Sequence, residues 1–408
     1  MNAYRRALTL AVVCAAALVL VPLQAQNGNG FGQGQSNNGR FHRHPGRAIA
    51  NNYIVVLDQD PTLVDGDAAR AAADADEVIV RTRTGRVRHV FAHALNGFSA
   101  EMSEEDAIAL SDDPRVAFVE EDSVMEIVTT QSPATWGLDR IDQAALPLSN
   151  SYTYTNNGSG VNAYVIDTGI RITHTQFGGR ASVAFDAIGD GRNGIDCNGH
   201  GTHVSGTIGG STYGVAKAVR LFAVRVLDCG GSGTTSGVIA GVDWVTGHHA
   251  SPAVANMSLG GGASTALDTA VTNSINSGVT YAIAAGNNNT NANTSSPARV
   301  SAAITVGSST SGDARSSFSN FGSVVDIFAP GSGITSAWST SNTATNTISG
   351  TSMATPHVAG VAARYLQTHT TASPATVRNA IVAAANLNRL SGIPSGTANR
   401  LLFWSGAQ

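Results

Sequence analysis

The apolar positions of the chain follow two different patterns on either side of residue 130. Between 50 and 128 they are short and interrupted. A β-rich run covers 53–57, residues 94–100 alternate around Gly97, and 116–119 forms another short run. Residues 104–110 suit a helix, with Ser103 as its N-cap, and 123–128 read as an extended tail. Together these predict a small α+β domain. After residue 130 the runs are uninterrupted, as expected of strands buried on both faces: 161–166, 220–226, 254–257, 280–284, 303–306 and 325–328. Helical stretches at 203–208, 237–246 and 267–277 lie between several of them. Strands alternating with helices predict a mainly parallel α/β sheet covered on both faces. In such sheets sites form beyond the carboxyl ends of strands, and Asp167 directly follows one run.

The first 25 residues follow a different pattern. Arg5 and Arg6 precede an apolar stretch over 7–21, and Leu23-Gln24-Ala25 closes it, which predicts a cleaved signal peptide and a secreted protein. Asn, Gly and Gln dominate 26–39, and Phe41-His42-Arg43-His44 reads as a solvated tether, so 26–49 is expected to be a flexible linker. No other apolar run approaches the roughly 20 residues needed to span a bilayer, so no membrane partner is expected. Only 13% of the chain is charged, with a net charge of −4, which argues against a nucleic-acid partner. The charge is also uneven. Residues 50–128 hold 6 Arg and 17 Asp or Glu, whereas 129–408 hold 12 Arg, 1 Lys, 11 Asp and no Glu. Two folding units of opposite sign that attract each other are expected. Beyond the leader only Cys197 and Cys229 remain, pointing to one disulfide or to two buried thiols.

Three stretches carry chemistry. Val165-Ile166-Asp167-Thr168-Gly169 puts a carboxylate at a strand end. Asn198-Gly199-His200-Gly201-Thr202-His203 puts an imidazole at the mouth of a helix among glycines. Gly350-Thr351-Ser352-Met353-Ala354-Thr355-Pro356 puts a hydroxyl where a loop enters a helix. A serine oxygen becomes a good nucleophile only when a base takes its proton, and a carboxylate holds that base in the right tautomer. Zinc bound by His200 and His203 is disfavoured, because no third ligand and no H-E-x-x-H glutamate accompany them. An α/β-hydrolase esterase is disfavoured by the absence of G-x-S-x-G around Ser352.

These motifs, in the order Asp, His, Ser, resemble the subtilisin-like serine proteases (subtilases), most nearly the proteinase K and aqualysin branch. The resemblance covers 129–408, and 50–128 resembles the family's inhibitor-type propeptide. It implies a serine endopeptidase in which Asp167 orients the base, His200 is general base and then general acid, and Ser352 is the nucleophile. Asn287, in Ala284-Ala285-Gly286-Asn287, would donate to the oxyanion. Gly231, Ser232 and Gly233, with Ser258, Leu259, Gly260 and Gly261, resemble the two edge segments that pair with substrate backbone. Their glycines leave room for a large apolar or aromatic side chain before the cut.

The resemblance also implies structural calcium. Asp326 would act with the carbonyls of Ser301 and Ala303, and Asp139, Asp142, Gln143, Ser149 and Ser151 would form a second site. Cys197 and Cys229 match one bridge of the aqualysin-like enzymes, while the partners of a second bridge stand here as Asn293 and Val324. Relatives begin their mature chain at a position matching Thr129. The tail Met125-Glu126-Ile127-Val128 is therefore expected to lie in the active site as a product, with Val128 in the first pocket and Met125 in the fourth. The expected whole is a monomer that processes itself, acts on proteins and peptides, and is inhibited by its own propeptide until cut.

Overall fold

The computed structural model describes residues 39–44, 48–58, 85–92, 95–123 and 129–405. The expected signal peptide, most of the linker and residues 124–128, Val128 included, lie outside them. The chain divides between Ser123 and Val124 into two compact units.

The first unit is a five-stranded sheet in the order Phe41–His42, Val116–Ser123, Ala48–Leu57, Gly97–Glu101, Arg86–Phe91. Among the described residues it carries one helix, Glu104–Leu110, which begins at Ser103, whose hydroxyl accepts the Asp106 N–H at 3.1 Å, as the cap pattern predicts. Its core holds Tyr53, Val55, Phe98, Leu110, Val116 and Val119. The tether reading fails at Phe41 and His42. They form a strand parallel to Val116–Ser123, with Phe41 buried in that core. The reason is non-local: the strand partner lies more than seventy residues away, and the apolar Phe41 is covered only once that partner is in place.

The second unit is built on a nine-stranded sheet. Its order is Asn386–Leu387, Arg400–Leu401, Ile327–Pro330, Ile304–Ser309, Thr280–Ala284, Ala253–Met257, Asn162–Asp167, Arg220–Arg225, Ala181–Asp186. All neighbours are parallel except the pair at the Asn386–Leu387 edge. Successive side chains of a strand point to opposite faces. Ala163 and Val165 accordingly pack with Val204, Ile208, Val358 and Ala362, from the helices His200–Gly209 and Thr351–Thr368. Tyr164 and Ile166 pack on the other face with Val242, Val245, Val271 and Ile275, from Thr235–His248 and Thr265–Asn276. The α/β expectation therefore holds, with helices on both faces.

The chain builds the sheet outward in one direction to Ala181–Asp186 and Arg220–Arg225. It then crosses Asn162–Asp167 to lay Ala253–Met257 on the other side. The strand ending in Asp167 is thus the switch point, where an open α/β sheet leaves a crevice at its carboxyl edge. Among the described residues no helix is long and apolar enough to cross a membrane.

Candidate active site

The Asp167 strand ends in full burial, and its carboxylate meets the first residue of the next helix. Asp167 Oδ1 accepts the Thr168 N–H and lies 2.7 Å from His200 Nδ1. This approach requires Gly201. A Cβ there would stand 2.2 Å from the Gly169 carbonyl oxygen and 3.2 Å from Asp167 Oδ1. His200 is half-buried. Burial pushes its pKa down, but the Asp167 charge and hydrogen bond, aided by the Asp196 charge, outweigh this and hold it above the ordinary histidine value.

Asp196 is a residue that the sequence motifs did not single out. It is buried, and its carboxylate accepts hydrogen bonds from Thr168 Oγ1, the Asn198, Gly199 and Thr202 N–H groups, and Thr202 Oγ1. Thr168 Oγ1 in turn accepts the Gly201 N–H at 2.9 Å. One carboxylate therefore ties the Asp167 strand end to the first turn of the His200 helix. Its position four residues before His200 was the available signal.

Ser352 lies in the first turn of Thr351–Thr368, where helix geometry leaves backbone N–H groups free to bind an anion. Pro356 sits four residues further on and has no N–H, so the Ser352 carbonyl gets no helical partner. Ser258 Oγ donates to that carbonyl at 2.8 Å and is itself held by Asn256 Nδ2 at 2.9 Å. The Ser352 hydroxyl donates to the Ser258 carbonyl oxygen at 3.1 Å, so in this conformation its proton points at that carbonyl. Ser258, read from sequence as part of a substrate-pairing edge, thus turns its side chain inward to the serine helix.

Asn287 follows the strand Thr280–Ala284 and is exposed. Its Oδ1 accepts both the N–H and the hydroxyl of Thr351, at 2.8 and 2.9 Å. With the oxygen so occupied, the amide nitrogen is the group left to donate beside Ser352.

Gly231, Ser232 and Gly233 and the segment Ser258, Leu259, Gly260 and Gly261 line one cavity of about 410 Å³, with His200 on its wall. Leu227, Val238 and Leu267 add apolar surface, and the sequence motifs missed all three. Cys197 and Cys229 form a disulfide joining the loop before His200 to the loop before Gly231. His203, the second imidazole of its motif, is buried with its pKa pushed down to about 4 by burial. Its Nε2 lies 3.0 and 3.2 Å from the carbonyls of Ile334 and Asn346, so it serves packing.

The two cation loci differ. Asp139 Oδ1 accepts the N–H and the hydroxyl of Ser149, Gln143 Oε1 also accepts the Ser149 N–H, and Ser149 Oγ lies 2.8 Å from Ser151 Oγ. Asp142 Oδ2 accepts the Thr153 N–H, while Oδ1 is buried without a partner. Burial pushes the Asp142 pKa up to about 6, and the Asp139 charge adds to this. At the other locus Asp326 Oδ2 accepts the Thr305 N–H at 2.8 Å. Arg378 donates to Asp326 Oδ1 and, through Nε, to the Ala303 carbonyl at 3.2 Å. Thr129 opens the strand Thr129–Gln131, which pairs with Tyr152–Tyr154.

The subtilase family profile matches residues 158–401, and a peptidase inhibitor I9 profile matches 52–128. An extracellular serine proteinase of Thermus sp. (strain Rt41A) is 54% identical over 368 residues, covering 87% of this chain and 90% of its own. Proteinase R of Parengyodontium album is 42% identical over 364 residues, covering 88% and 90%. The crystal structure of a cold adapted subtilisin-like serine proteinase matches with a TM-score of 0.65 and 58% identity, over 67% of this chain and 98% of that one. With the fold and the three motifs in place, these matches establish that the chain belongs to the subtilase family of serine proteases and carries an I9 inhibitor domain ahead of its catalytic domain.

Proposed function

We propose that this subtilase is a secreted, self-processing endopeptidase that cuts peptide bonds after apolar or aromatic residues through an acyl-enzyme on Ser352. The observation that carries the reading is the 2.7 Å pairing of buried Asp167 with His200 on the wall of the cavity that both edge segments line. In the reaction the Ser352 hydroxyl turns from the Ser258 carbonyl to His200, which takes its proton as the oxygen attacks the scissile carbonyl. The oxyanion receives hydrogen bonds from the Ser352 N–H and the Asn287 amide. His200 then gives the proton to the leaving amine, and water repeats the sequence to release the acyl group. Asp167 keeps the imidazole oriented and stabilises its protonated form. The apolar walls of the cavity support the apolar preference, and substrate backbone would add as a strand between the two segments.

Labelling tests this directly. A sulfonyl fluoride should abolish casein cleavage and, losing HF, leave its sulfonyl group on the peptide bearing Ser352, while Ser352→Ala stays unlabelled and inactive. Full casein cleavage by Ser352→Ala would overturn the reading.

Secretion rests on the leader-like first 25 residues and on relatives named extracellular. Self-processing between Val128 and Thr129 rests on the I9 match, which ends at 128. Structural calcium belongs to the same proposal. Asp139, Asp142, Gln143, Ser149 and Ser151 fit it, since they bring hard oxygen donors together and leave Asp142 Oδ1 buried and unpartnered. The Asp326 locus fits less well, because the Arg378 guanidinium already contacts Asp326 and the Ala303 carbonyl, so a dication there shares them with a fixed positive charge. A chelator should therefore lower the melting temperature, and Asp142→Ala should remove most of that response. A melting temperature indifferent to the chelator would exclude calcium at both loci.

A further inference from the structure

Asn320 is polar yet only 1% exposed, and all of its side-chain hydrogen bonds go to the loop that carries Asn287. Its Nδ2 donates to the Ala285 carbonyl at 2.8 Å. Its Oδ1 accepts the N–H groups of Asn288 and Thr290, both at 3.0 Å, and the Thr290 hydroxyl at 3.3 Å. Its own backbone N–H donates to the Gly286 carbonyl at 2.9 Å. These bonds fall on both sides of Asn287 and skip it. At Gly286 the chain takes a φ of +103°, and a Cβ there would come within 2.4 Å of Asn320 Nδ2. The loop therefore closes tightly over the Asn320 amide and leaves Asn287 as the projecting, exposed residue.

We propose that Asn320 is a positioning residue that holds Asn287 at the place where the oxyanion forms; the proposal rests on the oxyanion role given to Asn287 above. An exposed loop asparagine left to itself samples many positions, whereas a useful donor must stand within hydrogen-bonding distance of an atom that is charged only in the transition state. Asn320 fixes the backbone on either side, and Thr351 fixes the side-chain oxygen. An amide suits the first task, because the carbonyl at 285 needs a donor while the N–H groups at 288 and 290 need an acceptor, and its two ends reach both at once. Asn320 touches neither substrate nor reacting atoms, so its effect passes wholly through Asn287.

The test is a cycle of Asn287→Ala, Asn320→Ala and the double variant. For each, kcat and KM are measured on a chromogenic peptide, together with the affinity for a peptide aldehyde, whose hemiacetal oxygen occupies the oxyanion position. Asn320→Ala should lower kcat and aldehyde affinity in parallel by about 10-fold or more, with KM changed less than about 3-fold. In the Asn287→Ala background the same change should cost less than about 3-fold, because the group it positions is already gone. Asn320→Asp keeps the acceptor and loses the donor. It should fall between the two, and it carries the same cycle if the alanine variant does not fold. Loss of thermal stability with kcat and aldehyde affinity intact would overturn the proposal, as would a full repeat of the loss on top of Asn287→Ala. If Asn287→Ala itself left kcat and aldehyde affinity unchanged, the oxyanion reading would fall first, and this proposal with it.

Discussion

His200 is under opposing influences, and in the proposed mechanism their balance sets the acid limit of activity. Burial disfavours its charged form, while Asp167 at 2.7 Å and the more distant Asp196 favour it, and the carboxylates prevail. A general base must be neutral to accept a proton, so a raised pKa means that activity is lost at a higher pH on acidification than free histidine would give. The acid limb of kcat/KM should therefore lie above about 6.5. Asp167→Asn should shift that limb downward and lower kcat by about 10⁴-fold, as loss of the tautomer-fixing carboxylate does in serine proteases generally. A pH profile with its acid limb below the ordinary histidine value, or one unmoved by Asp167→Asn, would contradict this balance. Asp196 acts on the same residue by a second route, through the bonds that hold the Gly199 and Thr202 amides at the mouth of the helix.

The helix Thr351–Thr368 shows how one proline links two elements. Pro356 deprives the Ser352 carbonyl of its helical bond, and Ser258, at the end of Ala253–Met257, supplies the missing donor. Ser258→Ala should leave that carbonyl unpaired and cost about 1–3 kcal/mol of stability. Adding Pro356→Ala should restore a helical N–H and recover part of the loss, as read by denaturant unfolding. An additive double variant would show that the two residues are independent. The motif around Ser352 was legible because its residue types and order are specific, but this coupling was not. Its partner lies 94 residues away, in a segment whose pattern points only to substrate-facing backbone. The same holds for Asn320, 35 residues from Ala285, and for Arg378, 52 residues from Asp326. Phe41 and His42, placed in a tether because charged and polar residues surround them, join a sheet through an equally distant strand. Local pattern reveals which residues can do chemistry. It does not reveal which buried polar groups complete their neighbours' hydrogen bonds, since that depends on non-local packing.

At the scale of the molecule the long apolar runs predicted the sheet well, because strands buried on both faces need no alternation and a parallel sheet admits few arrangements. Their order was not legible from the runs themselves. It follows from the crossover at Asn162–Asp167, which is also what puts Asp167 at the crevice. The contrast between the acidic inhibitor unit and the slightly basic catalytic unit was visible in residue counts alone. It fits the I9 and subtilase matches, which fall on either side of the same junction. In the proposed self-processing the first bond cut is the chain's own. The most direct measurement is the intact mass and amino-terminal sequence of wild type and Ser352→Ala, produced side by side. Wild type should begin at Thr129 while Ser352→Ala keeps residues 50–128 attached. If both keep the inhibitor unit, or both lose it alike, Ser352 is not the residue that cuts the chain, and the account of a self-processing serine protease is contradicted.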